Sequence, residues 1–559
     1  MALPLLQVEG LSFRYRRATE PALRDITLSL EGGEVLLVAG PSGCGKSTLI
    51  RAINGLIPHS YSGELAGRVL IDGRSTADLR LRELALLVGT VLQDPARQVV
   101  GSTVRAELAF GPENLGVPRS EIVGRMEEVV RRAGIGPIEH RSTSELSGGE
   151  LQLLAVAGAL MLRPRLYVVD EPLANLDPAS AARLLGLLRK LADDGHAIVI
   201  VEHRVEEALD MRPDRILYLD AGNPAFLGPV DAFLTVADPS VVKVPFDAVL
   251  AKAGMAVTGS AVGEIPAAES RTRAALLDPP RLAYDDVNVW LGENHVLRNL
   301  STSLGQQEIV AVLGPNGSGK TTMFRTAMHL IARWAGRVLV DGRSVADLTV
   351  AELARTFGYV FQSPSQMLFA RTVRDELLFG PRNLGIAIGE ADEIAVDALR
   401  RTSLNDVEGI LDRPPLTLSF GQQKRLALAI ALAWRPPTLI LDEPSAGQDY
   451  RSSALFMGSV IAIPELESLY FITHDVDLAL THADRILLLR EGRVVADGPP
   501  LEVVSDEDRW RATNLRRTSL VSANLEWRHV TGRFLNAIEL ARLVASKQAG
   551  RGKEAQPSS

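Results

Sequence analysis

The sequence predicts an α/β protein made of two tandem domains of one kind, and three observations carry that prediction. Two glycine-rich segments recur within the chain. Each follows a short apolar run of strand character and leads into a helix-like stretch. In each half a second apolar run ends in two adjacent acids. The repeat is the primary signal: Gly40-Pro41-Ser42-Gly43-Cys44-Gly45-Lys46-Ser47-Thr48 recurs as Gly314-Pro315-Asn316-Gly317-Ser318-Gly319-Lys320-Thr321-Thr322. Asp170-Glu171-Pro172 recurs as Asp442-Glu443-Pro444, Leu146-Ser147-Gly148-Gly149-Glu150 as Leu418-Ser419-Phe420-Gly421-Gln422, and His203 as His474. The offset stays near about 270 residues for all four, the mark of a duplicated domain.

Length agrees, since 559 residues suit two or three domains. The first domain is expected over 1–240, a linker over 241–280, the second domain over 281–505 and a C-terminal extension over 506–559. The later part of the linker is rich in Ala, Gly and Pro, and the last dozen residues of the extension read as disordered. A flexible linker of that length spans about 35 Å, enough to let the two domains face each other.

Composition is globular, with 46% hydrophobic and 23% charged residues, and the net charge of -8 gives no support for a nucleic-acid partner. Cys44 is the single cysteine, which excludes a disulfide framework and a multi-cysteine metal site. The N-terminus has no basic region before its short apolar run, so no secretory signal is expected. No uncharged apolar run approaches the 18 or so residues of a membrane span. If the chain serves transport, the pore is expected on another polypeptide.

The runs Glu34–Gly40 and Ile309–Gly314 read as buried strands, and Ser47 and Thr321 open plausible helices. Strand, glycine loop, helix is the context that makes G-x-x-x-x-G-K-[ST] a phosphate site. The glycines let backbone N–H groups wrap a phosphate, and the helix N-terminus adds about half a positive charge. Lys46 and Lys320 are positioned for the β- and γ-phosphates, and Ser47 and Thr321 for Mg²⁺. Cys44 occupies a variable loop position as a small filler. Asp170 and Asp442 are candidate Mg²⁺ ligands, and Glu171 and Glu443 candidates to activate the attacking water.

The pentads Leu146–Glu150 and Leu418–Gln422 lie between loop and acids in each half. In that order the motifs resemble those of the ATP-binding-cassette family over both halves. The resemblance implies two tandem P-loop NTPase domains, each a RecA-like core with an antiparallel β subdomain and a helical signature subdomain. It implies ATP and Mg²⁺ as cofactors. Carried over residue by residue, Gln93 and Gln362 match the Q-loop glutamine that contacts the metal or water, and His203 and His474 match the switch histidine. Asp177 and Asp449 match the D-loop aspartate, and Tyr15 the aromatic that stacks on adenine. In the second half Trp290 is the candidate for that role, although an ungapped alignment puts Leu291 there. The family pairs cassettes head to tail. Ser147, Gly148, Gly149 and Glu150 would then complete the Lys320 site, and Ser419, Gly421 and Gln422 the Lys46 site, with pairing in cis favoured by the tether. Both sites keep Lys, Asp, Glu and His, so both are expected to hydrolyse ATP. Phe420 in place of a signature glycine, Glu150 in place of the commoner Gln, and Leu153 where Arg is usual leave equal rates in question.

A shared block follows each Q-loop, ending Phe110-Gly111-Pro112-Glu113-Asn114-Leu115-Gly116 and Phe379-Gly380-Pro381-Arg382-Asn383-Leu384-Gly385. This ending looks like the ATPase component of energy-coupling-factor importers. That resemblance implies a chain on the cytoplasmic face of the membrane, with a transmembrane coupling subunit and a small substrate-binding membrane subunit as partners. The cargo would be a vitamin, a vitamin precursor or a transition-metal cation. Gln98 and Gln366 match positions lining the groove for the coupling subunit, and Glu107, Asp375 and Glu376 are charge-based candidates to receive its arginines. Three other kinds of tandem-cassette or related ATPase differ from this sequence. Tandem-cassette translation factors carry a long charged helical linker, and repair ATPases carry zinc cysteines or coiled-coil insertions. Fused sugar-importer ATPases usually have a degenerate second site. None of these features is present in the sequence.

Overall fold

The computed structural model describes residues 4–173, 176–257, 279–386, 388–405 and 407–554. They form two compact units, the first running to Val244 and taking in Asp449–Arg451, the second beginning at Pro245.

In the first unit a six-stranded sheet runs Asn223–Gly228, Arg215–Asp220, Val35–Ala39, Ala197–Val201, Leu166–Asp170, Val88–Val91. Only the first pair is antiparallel. The central strands are buried along their whole length, which explains their unbroken Val, Ile and Leu runs. An antiparallel sheet of Leu23–Leu30, Leu6–Tyr15, Gly63–Ile71 and Arg74–Ser75 shares its apolar core with this sheet and with helix Lys46–Ile53. Helices Val104–Asn114, Arg119–Ala133 and Gly148–Leu160 form a separate helical layer.

The second unit repeats the plan. Its larger sheet runs Phe357–Val360, Thr438–Asp442, Ser468–Thr473, Ile309–Leu313, Arg485–Arg490, Arg493–Gly498, and its antiparallel sheet runs Asn294–Leu304, Leu282–Leu291, Trp334–Val340, Arg343–Ser344. A distinct apolar cluster built on Leu377, Leu399 and Leu426 holds its helical layer. In both units the parallel strands end on one edge, where open α/β sheets bind ligands.

The boundary between halves differs from the expected linker. Phe246–Val257 is a helix that packs against the closing helix Ala537–Glu554 and belongs to the second unit. Phe246, Val249 and Leu250 give it an apolar face that an Ala/Gly/Pro count does not register. The linker expectation for 258–278 lies outside the described residues. The C-terminal extension is likewise more ordered than its composition suggests. Leu540, Ala541, Val544 and Ala545 are buried at helical spacing, and the helix continues to Glu554, while the expected disorder of 555–559 lies outside the described residues. The Thr518 hydroxyl caps helix Ser519–Thr531 and donates to buried Asp477 at 2.6 Å, and the Phe246 N–H donates to Ser519 Oγ at 2.7 Å.

Candidate functional site

Each glycine loop follows a buried strand and turns through left-handed backbone, with φ of 146°, 79° and 109° at Gly40, Gly43 and Gly45 and 156°, 78° and 101° at Gly314, Gly317 and Gly319. A Cβ on Gly40 would stand 2.2 Å from the Leu219 carbonyl oxygen, and one on Gly314 2.2 Å from that of Leu489, so no other residue fits. A Cβ on Gly43 or Gly317 would meet nothing within 4 Å, which leaves the mouth of each loop open. Lys46 Nζ donates to the carbonyls of Gly40 (2.8 Å) and Pro41 (2.9 Å), and Lys320 Nζ to those of Gly314 (2.8 Å) and Pro315 (3.0 Å). The ammonium is thus held across its own loop. Ser42, Pro41, Ser47, Pro315, Asn316 and Thr321 line the loops in the expected places, and Thr322 and Ser318 are buried beneath them. Cys44 is buried, and burial pushes its thiol pKa up, as suits a filler.

The strands Leu166–Asp170 and Thr438–Asp442 deliver Asp170 and Asp442 to the same edge. The next residues, Glu171 and Glu443, adopt φ of 46° and 51°, a costly conformation for a non-glycine residue that turns the side chain back toward the loop. Their N–H groups donate to Val201 and Ile472 at 2.9 Å, which fixes that turn. Glu171 lies 2.7 Å from His203 Nε2 and 2.5 Å from Gln93 Nε2. Glu443 lies 2.9 Å from His474 Nδ1. Burial alone would raise both glutamate pKa values. Histidine, through hydrogen bond and charge, and the loop lysine outweigh it and hold both carboxyls below the ordinary value. Asp170 goes the other way: burial and then the neighbouring Glu171 charge push it up to about 6.

The donor set of Ser47, Gln93 and Asp170, or Thr321, Gln362 and Asp442, is all hard oxygen and suits a divalent cation. Asp170 Oδ1 is buried with no hydrogen-bond partner, an orphan that a cation would satisfy. In the second unit Thr321 Oγ1 and the Tyr359 hydroxyl both donate to Asp442 Oδ2 at 3.0 Å.

Ser147 and Ser419 are N-caps. Each closes a capping box with the residue three positions on, Glu150 or Gln422. That shared geometry explains why glutamate is tolerated at position 150. Gly148, Gly149 and Gly421 lie in the first helical turn behind these caps, and Phe420 is exposed beside Gly447. Asp177 caps helix Pro178–Asp193, and Asp449 is buried just before helix Tyr450–Ile461.

Tyr15 sits at the end of its strand, its hydroxyl 3.2 Å from Thr48 Oγ1 and accepting from Arg51 at 2.7 Å. The second unit corrects the Trp290 expectation. Phe13 pairs with Leu65, two residues before the left-handed Gly67 inside its strand, and Val289 pairs with Trp334, two residues before the left-handed Gly336, so Leu291 takes the place of Tyr15 in the strand register. Trp290 stacks instead on His295, with centroids 4.7 Å apart.

Several functional candidates were not foreseen from sequence. Lys424 is fully buried and donates to the carbonyls of Glu443 (3.3 Å) and Ala446 (3.0 Å), clamping the turn that carries the glutamate. Buried Glu202 accepts from the N–H groups of Leu173 (2.9 Å), His203 (2.9 Å) and Arg204 (3.1 Å), tying the histidine to the segment after the acids. Neither stands out in the sequence, since Lys424 lies between Gln423 and Arg425 and Glu202 is followed by His203 and Arg204.

The acids after the Q-loop also differ from expectation. Glu107 accepts from the N–H groups of Val100 (2.9 Å) and Gly101 (2.7 Å), and Glu376 from those of Phe369 and Ala370 (2.5 Å for Ala370). Both are buried and already bonded, so neither is offered to a partner's arginine; Asp375 alone of the three is exposed. Gln98 folds back, accepting from Leu92 N–H at 2.8 Å and donating to the Thr90 carbonyl at 3.0 Å, whereas Gln366 and Gln362 are exposed. The loops held by these acids and the helices that carry the acids present large apolar groups in matching places: Val100 (62% exposed) and Phe369 (66%) on the loops, Phe110 (50%) and Phe379 (51%) on the helices.

Comparison with known proteins gives a consistent result. The family model described as ABC transporter matches residues 23–174 and 297–446. An ABC transporter ATP-binding protein of Methanosarcina acetivorans is 33% identical over 92% of this chain and 88% of its own. One from Streptococcus mutans is 32% identical over 92% of this chain and 95% of its own. Among solved structures, cbiO1 of Clostridium perfringens, described as part of the ABC transporter complex cbiONQ, is 32% identical over 42% of this chain and 95% of its own, with a TM-score of 0.37.

Proposed function

The chain belongs to the ABC transporter ATP-binding family, with two fused cassettes that make it an ATPase, and from that premise we propose that it energises an importer of the energy-coupling-factor type. The cargo class is a vitamin, a vitamin precursor or a transition-metal cation. The observation that carries this reading is the two matching sets of exposed apolar side chains, Val100 with Phe110 and Phe369 with Phe379, each following a Q-loop glutamine in the chain. Exposed apolar groups of this size mark a contact surface. Phe110 and Phe379 open the two Phe-Gly-Pro-x-Asn-Leu-Gly blocks, and Val100 and Phe369 each lie ten residues before them. The block's first glycine keeps the helix close to its neighbour, because a Cβ on Gly380 would stand 2.7 Å from the Trp434 ring. Among the described residues no helix is long and apolar enough to cross a membrane, so the partner supplies the membrane path. The chain would act from the cytoplasmic face, with a coupling subunit on these patches and a small membrane subunit binding the cargo.

The mechanism follows from the site. The N–H groups of each glycine loop, with Lys46 or Lys320, bind the phosphates of ATP. Asp170 with Ser47 and Gln93, and Asp442 with Thr321 and Gln362, would hold Mg²⁺, which when bound neutralises phosphate charge. Glu171 and Glu443, held ionised by their histidines, orient the attacking water and accept its proton. His203 and His474 stand ready to meet the γ-phosphate, and Gln93, bonded to Glu171, links that carboxylate to the loop bearing the docking patch.

The test is an affinity pull-down of the full chain from detergent-solubilised native membranes with mass spectrometry of what co-purifies. A polytopic coupling subunit together with a small membrane protein supports the reading. Recovery with ribosomal proteins, or with membrane subunits of another transporter class, overturns it.

A further inference from the structure

The two cation carboxylates are not held alike. Asp442 receives two hydroxyls: Thr321 Oγ1 lies 3.0 Å from Oδ2 and 3.3 Å from Oδ1, and the Tyr359 phenol donates to Oδ2 at 3.0 Å. Tyr359 is itself buried. It comes from strand Phe357–Val360, where it lies opposite Ile440, two residues before Asp442. The same register in the first unit places Thr90 opposite Val168, two residues before Asp170. A threonine hydroxyl sits on Cβ and lacks the reach of a phenol. Among the described residues Asp170 Oδ1 is buried without a partner.

From this contrast we infer that Tyr359 is a positioning residue for the divalent cation at the second ATP site, with no counterpart at the first, and that the second site therefore holds the cation more tightly. The inference rests on the reading of Asp442 as a cation ligand. A carboxylate already bonded on one oxygen has its rotamer fixed before the cation arrives. Loss of such an outer partner costs about 10–100-fold in metal affinity. The hydroxyl also withdraws some charge from the carboxylate, which opposes binding, but the measured weight of outer-shell losses puts orientation ahead.

The experiment uses the full chain loaded with a non-hydrolysable ATP analogue and titrated with Mn²⁺, bound and free ion being read by electron paramagnetic resonance. A Lys46→Ala background isolates the second site and a Lys320→Ala background the first. The second site is expected to bind Mn²⁺ about tenfold more tightly than the first, and Tyr359→Phe or Tyr359→Thr to remove about that factor. The Phe variant retains the ring that packs against Phe361 at 4.8 Å, and its melting temperature checks the fold. Equal affinity at the two sites, which needs no variant at Tyr359, overturns the inference. So does a folded Tyr359→Phe chain within twofold of its parent while Asp442→Asn loses Mn²⁺. An Asp442→Asn chain that still binds normally shows instead that the underlying reading of Asp442 is wrong.

Discussion

His203 meets Glu171 through Nε2 at 2.7 Å, and its counterpart His474 meets Glu443 through the other ring nitrogen, Nδ1, at 2.9 Å. The carboxylates are engaged in both cassettes, but by imidazoles turned differently on their backbones. His474 adds its own N–H to Glu443 at 3.3 Å, whereas the His203 N–H goes to Glu202.

Glu171→Gln with Glu443→Gln keeps the shape of both sites and removes the carboxylates proposed to activate water. Phosphate release is expected to fall at least about a hundredfold, with ATP still bound in a nucleotide-retention assay. Lys46→Ala with Lys320→Ala is expected to fail at retention itself. Near-normal turnover in the double Gln chain would show that another group activates the water.

Nucleotide grip is expected to differ between sites. Tyr15 is fixed by Arg51 and Thr48, whereas Leu291 fills the same place with an exposed aliphatic chain. Tyr15→Ala should weaken fluorescent-ATP binding at the first site about tenfold, in keeping with 1–3 kcal/mol for stacking a base on an aromatic ring. Leu291→Tyr should tighten the second site, and an unchanged affinity there would show that the base is not held at this edge.

Lys424 gives a pH signature. Burial, partly opposed by the Glu443 charge, lowers its pKa to about 7, below the usual lysine value. Between that value and the normal one, the unfolded chain holds a proton that the folded chain has shed. Stability therefore rises with pH across that window, and the cost of burying the ammonium is fully present below about 7. Thermal unfolding from pH 7 to 9 should show an upward trend that flattens in Lys424→Gln, the residue standing at the matching position 152 of the first half. A trend of equal slope in the variant would exclude Lys424 as its source.

Glu376 is expected to matter for docking and not for chemistry. Glu376→Ala leaves the N–H groups of Phe369 and Ala370 without their acceptor, a loss of about 1–3 kcal/mol for a buried unsatisfied donor. The melting temperature and the yield of membrane partner in the pull-down should both drop, with basal ATP hydrolysis retained. Glu376→Gln keeps an acceptor oxygen and should recover most of both. An unaltered pull-down in the Ala variant would separate this loop from the partner.

Much of this was legible before the structure, because phosphate and cation chemistry demands fixed residue types at fixed spacing. Lys46, Asp170, Glu171 and His203, and their second copies, could be named from order alone. What spacing cannot give is depth. Glu107 and Glu376 read as surface acids because each lies in a helix with charged neighbours. Only the fold shows that their carboxylates turn inward onto the preceding loop. Tyr359 and Lys424 were missed for the same reason: an aromatic in a strand looks like packing, and a lysine between Gln423 and Arg425 like surface, until its polar atom is placed beside Asp442 or the Glu443 carbonyl. Trp290 and Leu291 both stood as candidates in the sequence, and the strand register separates them because a strand alternates its faces, so one residue changes the side on which the side chain stands.

The capping boxes have one further chemical consequence. Ser147 Oγ gives its hydrogen to the Glu150 carboxylate at 2.8 Å while accepting from the N–H of the same residue at 3.3 Å. Ser419 Oγ accepts from the Gln422 N–H at 3.4 Å, and among the described residues nothing takes its hydrogen. An anion approaching Ser419 meets a hydroxyl with its proton to give. One approaching Ser147 must first win that proton from a negative neighbour. A single oxygen-for-nitrogen exchange three residues downstream thus decides which signature serine is a ready donor and which is already spoken for.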